Sequence, residues 1–112
     1  MKIVDDPAIK KWLQSLDSDP DHFDWDEGNR AKNLKHGVTQ EEIESIFQNE
    51  YGFAGRIVEP IHAEWRGLIL GRSNAGKHLA LIFTCRGERL RPISCRPMRK
   101  LEVKKYHEST KT

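Results

Sequence analysis

The sequence predicts an α+β domain, on three observations. Apolar residues keep helical spacing through about the first fifty positions, strand-like runs take over from Phe53 onward, and short Gly-bearing stretches separate those runs. A chain of 112 residues has the length of one domain. It is long enough to bury a modest core and too short for a large two-layer enzyme with its own cofactor domain.

The first helix is expected over Asp6 to Leu16. Asp6 caps it, Pro7 takes the first-turn position where a missing N–H costs nothing, and Ile9, Trp12, Leu13 and Leu16 form one apolar stripe. The run Asp17–His22 breaks that helix and reads as a linker, which makes residues 1–22 an N-terminal helical extension. Phe23 and Trp25 alternate with Asp24 and Asp26 as a short strand leading into a cap at Asp26. Ala31, Leu34 and Val38 then follow helical spacing. Gly37 suits a left-handed position after that helix, with Lys35 and His36 in the last turn where cations meet the negative end of the dipole. A new helix starts at once, with Thr39 as N-cap, Glu42 as its capping-box partner and a Val38–Ile43 staple; Ile43, Ile46 and Phe47 supply its buried face.

Three strands are expected next, over residues 64–71, 78–85 and 89–96, joined by hairpin loops. Leu79 to Phe83 is apolar on both faces and reads as a central strand. Pro92 cannot donate to a ladder, which marks an edge or a bulge. A basic helix with Pro97 at its start closes the domain, and residues 108–112 form a tail. A turn near Gly87 puts Cys85 and Cys95 about 17 Å apart along the hairpin, beyond disulfide reach, so both thiols are expected free in a reducing compartment. Without an apolar run long enough for a membrane or a signal-peptide core, the expected location is the cytoplasm, with no membrane partner.

Net charge is +2, but residues 1–50 carry twelve acids and six bases while residues 51–112 carry five acids and thirteen bases. A split of −6 against +8 points to one surface for a polyanion or an acidic protein. Gly71, Gly76 and Lys77 imitate a phosphate-binding loop. His78 stands where that motif needs Ser or Thr, however, and a strand follows where it needs a helix. The five histidines lack zinc-ligand spacing. In a strand, His62, Glu64 and Arg66 would share one face, a proton acceptor beside an arginine; a solvated edge strand explains the same pattern. The strongest signal is Arg86, Arg89, Arg91, Arg96 and Arg99, backed by Lys100, Lys104 and Lys105, because arginine favours bidentate phosphate contact. Period two puts Arg89 and Arg91 on one face and Arg96 on the other, unless Pro92 brings a bulge.

Residues 23–106 resemble the BrnT family of bacterial type II toxins. The resemblance rests on Phe23, Trp25 and Asp26, the corner Asn33, Lys35, His36 and Gly37, then Phe47, Arg66, Gly71, Thr84 and Arg86. Arg91, Ile93, Ser94, Arg96 and Tyr106 complete it. Pro92 and Cys95 depart from the usual small or β-branched residues of the last strand. The resemblance implies a RelE-like fold: antiparallel sheet, two consecutive helices and a C-terminal helix over 23–107, to which this chain adds its N-terminal helix. It implies an endoribonuclease that inhibits translation and is neutralised by a BrnA-type ribbon-helix-helix antitoxin, whose complex reaches operator DNA. The expected chemistry is metal-free and cofactor-free. Glu64, His62 or His36 would move protons, and Arg66, Arg86 and Arg96 would hold the phosphate. RNA contact would fall to Lys35, Arg89, Arg91, Arg99 and Tyr106. The alternative is a non-catalytic basic module that binds RNA or a protein partner.

Overall fold

Capping chemistry sets where the helices begin in the computed structural model, which describes residues 1–16 and 20–110. Strand β1 (Lys2–Val4) precedes α1 (Pro7–Gln14), where the Asp6 carboxylate accepts from the Ile9 N–H at 3.1 Å. Helix α2 (Glu27–Lys35) opens on a capping box between Asp26 and Asn29, and α3 (Gln40–Ser45) on one between Thr39 and Glu42. Gly37, at φ 76°, makes the left-handed corner between them, a conformation glycine adopts without a Cβ penalty. Strands β2 (Tyr51–Glu59), β3 (Arg66–Arg72), β4 (His78–Arg86) and β5 (Arg89–Pro97) follow as a meander, and α4 (Lys100–Thr110) ends the fold.

The five strands form one antiparallel sheet in the order β1-β2-β3-β4-β5. Two cores flank it. Leu79, Leu81 and Phe83 of β4 meet Ile9, Leu13, Phe23, Ile43 and Ile46, while Ala80 packs with Leu68, Leu70 and Tyr106 of α4 on the other face. Strand β4 is therefore covered on both sides, as its unbroken apolar run requires. The first helix is no appendage, because Ile9 and Leu13 are buried in the larger core and Trp12 packs edge-on against Trp65. The expected linker lies partly outside the described residues at Asp17–Asp19, and Pro20–His22 form one 3-10 turn.

Several expectations change. Phe23 makes a single parallel bridge to Leu90 where a strand is expected. The buried face of α2 is polar: Leu34 is 59% exposed, whereas Asn29 and Asn33 are buried. Residues 61–65 are loop, so His62 and Glu64 do not alternate with Arg66 along a strand. Pro97 ends β5, and α4 starts three residues later, with the Arg99 N–H donating to Glu102. The helix continues to Thr110, so the described part of the 108–112 tail is helical.

Pro92 sits on an edge strand and at a bulge. Ile82 faces Ser94 and Phe83 faces Pro92, which leaves Ile93 as the extra residue. Cys85 faces Leu90, Cys95 faces Leu81, and both thiols are free. Burial pushes the Cys95 thiol up to about 12. At the other edge Gly55 has φ 143°, and a Cβ there would lie 2.6 Å from the Val4 carbonyl oxygen. Gly55→Ala should therefore cost about 2–3 kcal/mol in chemical denaturation and loosen β1, seen as faster amide exchange at Ile3 and Val4. A variant as stable as the parent would contradict the close approach.

Candidate functional site

The bulge decides which side chains share a face. Register pairs Arg89 with Arg86, Arg91 with Thr84, Ser94 with Ile82 and Arg96 with Ala80. All are on the α4 side of the sheet, so one extra residue brings Arg96 to the face of Arg89 and Arg91. Strand β3 adds Arg66, one pair beyond Gly67–Phe83 and thus beside Thr84. Arg66, Thr84 and Arg91 form a row across three neighbouring strands. Thr84 is buried, and its hydroxyl donates to the Trp65 carbonyl at 2.7 Å, which fixes the chain just before Arg66.

The arginines of this face differ in how firmly they are committed. Arg91 donates to Asp24 at 3.1 Å and Asp26 at 2.9 Å. Partial burial works against its charge, but the hydrogen bonds to Asp26 and Asp24 outweigh that and raise its pKa. Asp26 is held below the usual carboxylate range by the Asn29 N–H and then by Arg91. Arg86 reaches Asp24 only at 3.9 Å and is exposed, directly opposite exposed Arg89 at the hairpin end. Like charges in facing positions disfavour a sheet, and Asp24 offsets part of that cost at Arg86. Arg66 stands 3.5 Å from Glu64, and its Nε is buried without a hydrogen-bond partner among the described residues.

Other expected site residues are elsewhere. Arg96 is gripped by Glu102 of α4 at 2.6 and 2.9 Å, a bidentate pair that docks the helix. Tyr106 is 3% exposed and donates to the Glu50 carbonyl at 2.9 Å, so burial leaves it no free face for a base. Arg99 is exposed at the start of α4. Lys35 and His36 are exposed at the far end of α2, where His36 is the C-cap. His36 lines an open pocket with Lys77, His78 and Pro97. His78 is six residues from Thr84 along β4, roughly 20 Å at strand rise, so His36 does not join the Arg66 row. His62 is exposed in the loop that contains Glu64.

Two residues of the site escape a reading of the sequence. Asp24 links Arg86 and Arg91, and Glu102 pairs with Arg96. The acid-aromatic alternation at 23–26 carries a signal for the first; nothing local marks the second. The imitation phosphate loop is a β3–β4 hairpin, with the Ser73 N–H donating to the Lys77 carbonyl at 3.0 Å.

Fold and site together define a small α+β protein that presents arginines from three adjacent strands on one sheet face. The profile of the BrnT ribonuclease toxins of type II toxin–antitoxin systems matches residues 25–102, and the chain belongs to that family. A comparison with curated proteins returns no match. Among the described residues no helix is long and apolar enough to cross a membrane.

Hydrogen bonds from Arg96 hold the Glu102 carboxyl below its ordinary value of 4.5. A depressed carboxylate stabilises the fold fully above that value, and the contribution fades as pH falls through the folded pKa. Glu102→Gln should therefore lose about 1–2 kcal/mol at pH 7. In denaturant titrations the gap to the parent should narrow as pH falls below 4.5 and close once it has passed through the lowered folded pKa. A gap that is constant with pH would show that the pair is held by packing instead of charge.

Proposed function

We propose that this toxin cleaves RNA at the Arg66 face without a metal, in a RelE-like arrangement of sheet and helices. Arg66 beside Glu64, next to the facing Arg86 and Arg89, is the observation that carries this reading. Phosphodiester cleavage needs positive charge on the non-bridging oxygens and a proton acceptor beside the attacking hydroxyl. Arg66 and Arg86 supply the charge that a metal would otherwise supply. Glu64 takes the ribose 2′-proton, and the freed oxygen attacks the adjacent phosphorus. The P–O5′ bond then breaks to leave a 2′,3′-cyclic phosphate, and the departing 5′-oxygen takes a proton from His62 in the same loop. Arg91 and Arg89 extend the cationic face along the RNA.

His36 falls outside this chemistry on its distance from the row, and its position favours a helix-terminating role. Arg96 acts on the face through Glu102 and the docking of α4. RNA cleavage in the cytoplasm would inhibit translation. A BrnA-type antitoxin with a ribbon-helix-helix domain would neutralise the toxin, and operator DNA would be reached through that complex alone.

Purified protein incubated with RNA and a chelator tests this reading. Cleavage should persist with the chelator and yield cyclic-phosphate ends, and Arg66→Ala or Arg86→Ala should each lower the rate about 100-fold. Far-ultraviolet circular dichroism confirms that the variants are folded. Full activity in the double variant would overturn the site, and RNA bound but left intact by the parent would favour a binding module.

A further inference from the structure

The sheet face that carries Arg66 also carries an open groove of about 350 Å³. Leu68 and Leu70 form its floor, Ile3 of edge strand β1 one wall, and Leu101 of α4 the other. Leu101 is 80% exposed, a large apolar residue left in water at the first turn of a helix. The rim is cationic: Arg99, Lys100 and Lys105 line it, and neither lysine has an ion pair among the described residues. The groove's carboxylate, Glu102, is already engaged by Arg96. An apolar floor inside a positive rim selects a segment with apolar anchors and carboxylates around them.

Arg66 is two residues from Leu68 on the same face of β3, about 7 Å away. A chain seated in the groove and continuing along β3 would cross Arg66. We propose that the groove docks an amphipathic acidic segment of the antitoxin, with apolar side chains on Leu68 and Leu70 and carboxylates on Arg99, Lys100 and Lys105, and that its continuation covers Arg66. The docking stands on the groove itself; the link to inhibition rests on the Arg66 reading above.

The test uses the toxin alone and as the complex purified with its co-produced antitoxin. Amide exchange in the complex should slow at Leu68–Leu70 and Leu101–Lys105, and carbodiimide coupling should join Lys100 or Lys105 to antitoxin carboxylates. Leu101→Glu with Lys105→Glu, two exposed positions outside the proposed chemistry, should weaken antitoxin binding at least about tenfold and leave RNA cleavage by the free toxin unchanged. Unchanged antitoxin affinity in that variant would overturn the proposal. So would a groove protected by RNA or by a second copy of the chain instead of the antitoxin. A parent that binds antitoxin through the groove yet leaves RNA intact would sink the ribonuclease site and keep the docking surface.

Discussion

Two buried asparagines on α2 hold the outer edge of β5, and the aim of that strand's arginines follows from them. The Asn29 amide donates to the carbonyls of Pro92 at 2.9 Å and Asp24 at 3.0 Å, while its oxygen accepts from the Asp26 N–H. Asn33 accepts from the Cys95 N–H at 2.7 Å and donates to the Asn29 carbonyl. These bonds bracket Ile93 and satisfy backbone groups that an edge strand would otherwise leave unpaired. Strand β5 therefore takes an extra residue at Pro92 with the Pro92 carbonyl and the Cys95 N–H both bonded to α2. Because side chains alternate with period two, that residue moves Arg96 to the side of Arg89 and Arg91. Loss of either asparagine would leave a buried polar group unpaired, at a cost of about 1–3 kcal/mol.

A face assembled in this way divides its charges into structural and available ones. Arg91 and Arg96 are bound in carboxylate pairs that attach the 23–26 segment and α4 to the sheet. Arg66, Arg86 and Arg89 are less committed, and two of them face each other across a hairpin. The groove beside them is built from the same register, since the strand positions that continue from Arg66 are Leu68 and Leu70. Chemistry and neutralisation would then share one strip of β3.

Most of the scaffold was legible in the sequence because local physics writes it there. Asp6 with Pro7, Thr39 with Glu42, Gly37 and the two-faced run at Leu79–Phe83 each identify an element by short-range rules. Helix α2 was misread for a physical reason: its core-facing residues are Asn29 and Asn33, so an apolar stripe pointed to Leu34 and away from the true buried face. Strand β1 is three residues long and exists through its pairing with β2, a contact that no local pattern records. The loop at 61–65 imitates a strand because its polar residues alternate by chance of spacing. Within the site, arginine identity was plain and arginine geometry was not, since Asp24 lies 67 residues from Arg91 and their ion pair is a product of the fold.

The most direct test is amide exchange at Cys95, followed by nuclear magnetic resonance in the parent and in Asn33→Ala. If α2 holds the bulged edge, the parent's Cys95 amide exchanges among the slowest in β5, and the variant's exchanges much faster while the amides of β3 keep their protection. Equal Cys95 exchange in the two proteins would show that β5 keeps its bulge without the asparagines, and would contradict the central claim.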